Sequence, residues 1–412
     1  MRGKTWRLVS IAALAAALSV FAARCGGGDE EAAAPPPAPP AEPAEPPPAE
    51  TGATDTGATD TGATGTPAEC AGTFGFIGPL TGDAATVGQD QLNWAKFAIS
   101  QWNDEHGSTF ELVEKDDQLD SAVAATVAAE VAADDSILAT VGPAGSPQVI
   151  AAADSLDGVM AYISGSATQT DLTTTHETFF RTVPTDGDQG PTDAAFMIDT
   201  LSAKKVMVID DQESYSQGLA DATQAALEDG GVEVVRESVG QNVTDFSALV
   251  SGITDDTDVV FIPWQIAANA QLFADQMAEQ GKTAALMGGD GLDSADLTAD
   301  GVYFSAFAPD IRTIDDPEIQ AIVDAYTTEV AEDFSTFGPP SYLAAHVLAV
   351  AAQSICDAGG ELTREAMIEA VHAVDLPTSI LGSAVAFDEH GDITPRQFYV
   401  FQIQGDQKVV VS

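Results

Sequence analysis

Basic residues are scarce: 15 Lys and Arg stand against 64 Asp and Glu in 412 residues, a formal net charge of −49. Four of those basic groups lie in the first 24 residues, so the chain beyond them carries 11 basic groups against 64 acidic ones. Such a surface repels phosphate backbones and anionic headgroups, which excludes nucleic acid as an expected partner. The imbalance suits solubility in an exposed or salty setting and says nothing about a ligand. Cysteine is scarce too, at three residues, Cys25, Cys70 and Cys356. Catalytic signatures are missing: the chain has no G-x-S-x-G elbow, no G-x-x-x-x-G-K-S/T loop, no H-E-x-x-H and no C-x-x-C. The five histidines, His106, His176, His346, His372 and His390, fall in unrelated contexts. "DEHGD" at Asp388 to Asp392 lacks calcium-loop spacing and reads as a turn between strands. No enzyme, no cofactor and no metal is expected.

What the chain does have begins with an address. "MRGKTWR" is a basic start, and "LVSIAALAAALSVFAA" is an apolar run short for a membrane span, so residues 1–24 read as a secretory signal peptide. Cys25 follows at once, before "GGGDEE", an arrangement that resembles the lipobox of bacterial lipoproteins, whose cysteine is diacylated. Arg24 and Ala22 depart from that pattern, which favours a small residue and leucine there. Lipidation at Cys25, and through it anchoring to the cell membrane, is the expectation. Ten of the 22 prolines lie within residues 26–69, followed by TGATD units, so residues 25–69 read as an anchor cysteine and an extended, core-free linker.

From Thr73 onward, strand-like apolar runs alternate with amphipathic helical ones. "TFGFIG", "TFELVEKDD", "ILATVG" and "VMAYIS" are separated by helical segments, and a second series follows "FFRTVPTDGDQGPTD" with "KVMVID", "VEVVRESV", "DVVFIP" and "AALMGG". That rhythm predicts α/β architecture with parallel sheets in two units. The last third holds three helices and few strands, so it must pack back on the earlier units.

Hydroxyls and carboxylates recur at the carboxyl ends of these strands, the edge where open α/β sheets bind ligands. Ser146 opens the helix "SPQVIAAAD", as an N-cap or as part of an anion seat. Ser166 and Thr168 end the strand that opens "YISGSATQT"; Asp290 ends "AALMGGDG"; Tyr215 lies between a strand and a helix of the second unit, as packing or as a cleft wall.

Four segments carry a family resemblance. "FIGPLTGDAATVG", "FRTVPTDGDQGPTDAAFM", "SYSQGLADATQAAL" and "FDEHGDI" resemble motifs of the periplasmic leucine/isoleucine/valine-binding proteins, type I solute-binding receptors of ABC importers. The resemblance implies two Rossmann-like lobes joined by three hinge crossovers and closing on a ligand. It assigns 70–186 plus 314–386 to an N-terminal lobe and 187–313 plus 387–412 to a C-terminal lobe. It implies that an amino acid's carboxylate meets Ser146 and the backbone at Thr168, and that its ammonium meets the carbonyl of Ser166, the Thr168 hydroxyl and Asp290. The side-chain pocket departs from the family: Val87 stands where an aromatic is usual, and Trp264 or Gln265 is nearest to an expected tyrosine, while Tyr215 is kept. The family's short disulfide is missing, and Cys70 with Cys356 is the expected replacement. The implied function is a monomeric extracytoplasmic receptor that delivers an amino acid to an ABC permease and ATPase. A receptor of the same fold that signals to a membrane partner, or a binder of an amide or other small carboxylate, is the alternative; a hydrolase with a disguised motif is a weaker third.

Overall fold

The computed structural model describes residues 70–330, 334–405 and 407–412. The expected signal peptide, the lipidation at Cys25 and the linker at 25–69 lie outside the described residues.

The first lobe is built on β1 (Ala71–Gly78), β2 (Thr109–Asp116), β3 (Ile137–Val141), β4 (Ala161–Ser164) and β5 (Phe179–Arg181), all parallel in the order β2-β1-β3-β4-β5. Its helices are α1 (Ala85–His106), α2 (Ser121–Ala133), α3 (Ser146–Leu156) and the single turn α4 (Leu172–Thr175). Strand β3 is buried at all five residues, the unbroken apolar run expected where helices cover both faces of a parallel sheet. Helix α2 starts where Asp120 accepts hydrogen bonds from the amides of Ala122 and Val123. Register sets the functional edge: Val141 pairs with both Phe76 and Ile163, so β1, β3 and β4 end side by side.

The chain then enters the second lobe through α5 (Asp186–Ala195), which packs on α6 (Ser214–Asp229). Helix α5 opens with a capping box in which Thr185 and Asp188 satisfy one another's backbone. Strands β6 (Lys205–Asp210), β7 (Glu233–Ser238), β8 (Val259–Ile262), β9 (Ala285–Gly288) and β10 (Tyr303–Ala306) alternate with α6, α7 (Ser247–Gly252) and α8 (Ala267–Glu279). Helices α9 (Pro317–Val330), α10 (Gly338–Asp357) and α11 (Arg364–His372) return to the first lobe, where Ile319, Leu343 and Met367 join the core of Phe74 and Trp94. A small sheet, β11 (Asp375–Leu376), β12 (Val385–Phe387) and β13 (Ile393–Thr394), follows. Last come β14 (Tyr399–Gln404) and β15 (Gln407–Val410), antiparallel, which complete the second sheet in the order β15-β14-β10-β9-β8-β6-β7.

The lobe boundary expected at residue 387 falls inside the small sheet. Ile393 packs in the first lobe's core and Asp392 pairs with the buried Arg181 at 2.6 Å, so the chain reaches the second sheet only at Tyr399. The three crossings meet: Val183 from the first, Phe307 and Ala308 from the second and Phe398 from the third share one apolar cluster with Phe337. Cys70 and Cys356 are bonded, with Cα atoms 5.9 Å apart, joining the start of β1 to the last turn of α10. Among the described residues no helix is long and apolar enough to cross a membrane.

Candidate functional site

A cavity with about 450 Å³ of free space, including its mouth, lies between the lobes at the carboxyl ends of their strands. From the first lobe it is lined by Pro79 after β1, Leu119 after β2, Gly145 and Ser146 after β3, and Ser166 after β4. From the second lobe come Tyr215 at the start of α6, Gln265 after β8, and Asp290 with Gly291 after β9. Ala84, Val87 and Phe337 close it with apolar surface.

Most of the hydroxyls in this region hold the site together. Ser164 donates to the carbonyl of Pro143 at 2.7 Å and accepts from the amide of Ala167 at 3.0 Å, bridging the loops after β3 and β4. The Ser166 hydroxyl donates to Ala144 O at 2.7 Å and accepts from Gln91 Nε2 at 2.8 Å. Gly145 occupies the N-cap position of α3, which places Ser146 inside the first turn, with its hydroxyl accepting from the Gln169 amide at 3.2 Å. Under the 167–170 loop lies Arg181, wholly buried, donating to the carbonyls of Ala167 (3.3 Å), Gln169 (2.7 Å) and Thr170 (3.1 Å). Five donors in a rigid fork let one guanidinium fix three carbonyls, a task a lysine would perform poorly.

Thr168 does not line the cavity; it is fully buried behind it, with its hydroxyl unpartnered and its carbonyl accepting from the Asp186 amide at 2.8 Å. Asp186 itself is buried, and neither carboxyl oxygen has a hydrogen-bond partner. Burial pushes its pKa up to about 8; the nearby Thr168 hydroxyl, although outside hydrogen-bond geometry, and the charge of Arg181 oppose the rise, and the negative charge of Asp290 adds to it. Asp290 accepts from the Tyr215 hydroxyl at 3.0 Å and is raised by burial to about 6, with Gln189 and Tyr215 pulling it back. Asp193, also buried and unpartnered, is pushed well above the ordinary range by the same desolvation. Asp290 is therefore the most acidic of this group, and Asp186 and Asp193 are the more readily protonated.

The expected residues thus divide. Ser146, Ser166, Tyr215, Asp290, Val87 and Gln265 meet at one cavity. Trp264 does not: its indole donates to Ile209 O at 2.8 Å and packs against Phe246 and Phe273 in the second lobe's core. Of the two neighbours, the larger apolar ring is in the core and the amide faces the cleft. Tyr162 packs on Phe179 within the first lobe. Arg181, Asp186 and Gln91 were not singled out as site residues. Arg181 and Asp186 do stand in the "FRTVPTDGDQGP" segment, and an Arg and an Asp bracketing a predicted lobe crossing were the available signal.

The chain belongs to the periplasmic binding protein family, whose model matches residues 73–408. It is 30% identical to the Leu/Ile/Val-binding protein BraC3 of Rhizobium johnstonii over 353 residues, covering 82% of this chain and 94% of that protein. It is 29% identical to the leucine-, isoleucine-, valine-, threonine- and alanine-binding protein of Pseudomonas aeruginosa, over 80% of this chain and 89% of that one. Among solved structures, the branched-chain amino acid substrate-binding protein LivJ of Streptococcus pneumoniae in complex with isoleucine superposes with a TM-score of 0.75. It shares 24% identity over 83% of this chain and 99% of the other. A benzoate complex of a solute-binding protein from R. palustris has the same fold, with a TM-score of 0.73 and 18% identity over 83% and 96% of the two chains. The fold is that of type I periplasmic binding proteins, and the family is one of extracytoplasmic substrate-binding proteins.

Proposed function

We propose that this chain captures a branched-chain or related small α-amino acid between its lobes and delivers it to the permease and ATPase of an ABC importer. The observation that carries the reading is the opposition of two chemistries across one cavity. The start of α3 with Ser146 faces it from the first lobe, and the carboxyl of Asp290, the most acidic of the buried cleft group, faces it from the second. A helix N-terminus with a hydroxyl suits a carboxylate, and a buried carboxylate suits an ammonium. A zwitterion entering this space loses water at both ends and needs about two or three charge-assisted bonds at each, at roughly 1.5 to 3 kcal/mol apiece. Ser146 with the free amides at the start of α3, the backbone at Ser166, and Asp290 supply such bonds at the two ends. Because the donors and acceptors belong to different lobes, the ligand favours the closed state through contacts that the open state lacks. The relatives' amino-acid ligands agree with this reading.

In this role the chain binds, closes and docks, acting outside the cytoplasm as a monomer held to the membrane through Cys25, while its partners carry out the energy-consuming steps. Isothermal titration with amino acids, amides and short carboxylates tests it. An α-amino acid binds, and Asp290→Ala and Ser146→Ala each weaken it at least tenfold. Binding that these two substitutions leave unchanged, or binding of benzoate-like carboxylates alone, sinks the assignment.

A further inference from the structure

Polar groups also border the cavity away from its carboxylate and ammonium ends, one in the lining and one directly behind it. Gln148 lies in the first turn of α3 and is 2% exposed. Its amide nitrogen donates to the carbonyl of Leu119 at 2.8 Å, which fixes which way round the amide sits and turns the oxygen the other way. That oxygen is buried and has no hydrogen-bond partner. A glutamine three positions after the N-cap commonly turns its oxygen back to the N-cap amide, but here the Gly145 amide does not satisfy it. Across the cleft stands Gln265 of the second lobe, whose oxygen accepts from Gln241 Nε2 at 3.4 Å, which turns its nitrogen toward the first lobe.

The two amides converge on one point. A side chain at Gly145 would overlap Gln148 Oε1 and lie 2.8 Å from Gln265 Nε2, so only glycine leaves room there. An acceptor from one lobe, just behind the lining, and a donor from the other, in the lining, therefore flank Gly145, which lines the cavity beside Leu119 and Gln265. An aliphatic side chain placed against them leaves a buried acceptor unpaired. A hydroxyl or a carboxamide, which both donates and accepts, satisfies both.

We propose that Gln148 and Gln265 are specificity-determining residues that select amino acids whose side chain carries a hydroxyl or carboxamide over their aliphatic isosteres. This rests on the amino-acid reading of the same cavity. The apolar surface of Pro79, Val87 and Phe337 holds the carbon skeleton, and the amide pair reads the tip.

Two isosteric pairs, threonine with valine and asparagine with leucine, test the proposal by titration calorimetry on the folded chain. The wild type binds the polar member of at least one pair about tenfold more tightly, the scale of one buried hydrogen bond and the acceptor it satisfies. Gln148→Leu and Gln265→Leu each abolish that preference. Gln265→Leu keeps the test available if loss of the Leu119 bond unfolds Gln148→Leu, which thermal melting reveals. The proposal is overturned if the aliphatic member of both pairs binds as well as its partner. It is overturned also if the variants weaken both members of a pair equally, since the glutamines would then only hold the lobes together. Failure of all four amino acids to bind overturns the amino-acid reading itself, and the proposal falls with it.

Discussion

At the residue scale, Asp290 and Arg181 carry opposite kinds of burden. Asp290 is buried yet the most acidic of the raised cleft carboxyls, with the Tyr215 hydroxyl donating to one oxygen and Gln189 also lowering its pKa. It has capacity left for a cation. Asp290→Asn keeps the shape and the tyrosine bond but removes the charge. It should weaken amino-acid binding by roughly 10- to 100-fold, about 1.5 to 3 kcal/mol, as read by calorimetry at pH 7. Arg181 is structural: it holds the 167–170 loop by its carbonyls and is paired with Asp392. Arg181→Met strips the donor from three loop carbonyls and leaves Asp392 with only Arg396 as a charged partner, and urea unfolding should show a loss of about 3 to 5 kcal/mol. The hydroxyls of "YISGSATQT" were legible from sequence as a cluster, but their partners were not. Ser164 and Ser166 spend theirs on Pro143 and Ala144, because a loop leaving a buried strand has backbone groups that something must satisfy.

At the scale of elements, contacts across the mouth of the cleft set how readily the lobes part. Asp293, at the end of the turn after β9, accepts from the amide (2.7 Å) and hydroxyl (2.5 Å) of Thr336 just before α10. Thr86 of α1 donates to Asp296 at 3.1 Å. Burial opposes ionisation of Asp293, but Lys408 and Thr336 outweigh it and hold its pKa below the usual range. Asp293→Ala frees the lobes without touching the cavity lining. The expected result is a larger radius of gyration by small-angle scattering without ligand, collapsing on ligand addition to the wild-type closed value. Strand and helix order was readable because parallel strands buried on both faces announce themselves as apolar runs between helices, as β3 and β8 do. The third crossing was misplaced because "AVAFDEHGDIT" pairs with itself in a small sheet, and nothing in its period says which lobe that sheet covers. The choice between Trp264 and Gln265 depended on a one-residue register, and in a strand-end loop one residue exchanges core for cleft.

For the whole molecule, the acidic excess extends into the interior. Burial raises Asp90 and Asp117 to about 7 and Asp186 to about 8, and lifts Asp193 and Asp290 as well. Unfolded, these groups lose their protons near 3.8. Between about pH 4 and 8 the folded chain therefore holds more protons than the unfolded one, and stability falls as pH rises through that window. The depressed Asp293 acts in the opposite sense, contributing stability above its unfolded value that disappears only at lower pH. The melting temperature of the ligand-free protein should rise as pH is lowered from 8 to 6 and fall again below about 4. Added salt should raise it at pH 8 by screening an excess of 64 acidic over 15 basic residues.

The bond between Cys70 and Cys356 closes 286 residues of sequence separation, a span that includes β6 to β10 of the second lobe but not its last two strands. Any pull on the chain entering at Cys70 reaches α10 through a covalent route instead of peeling β1 from its neighbours in the first sheet. Under tension both lobes, apart from the segments that follow Cys356, hang inside a locked ring, able to hinge but not to be unravelled from that end. Reduction turns the same attachment point into the free end of a zipper.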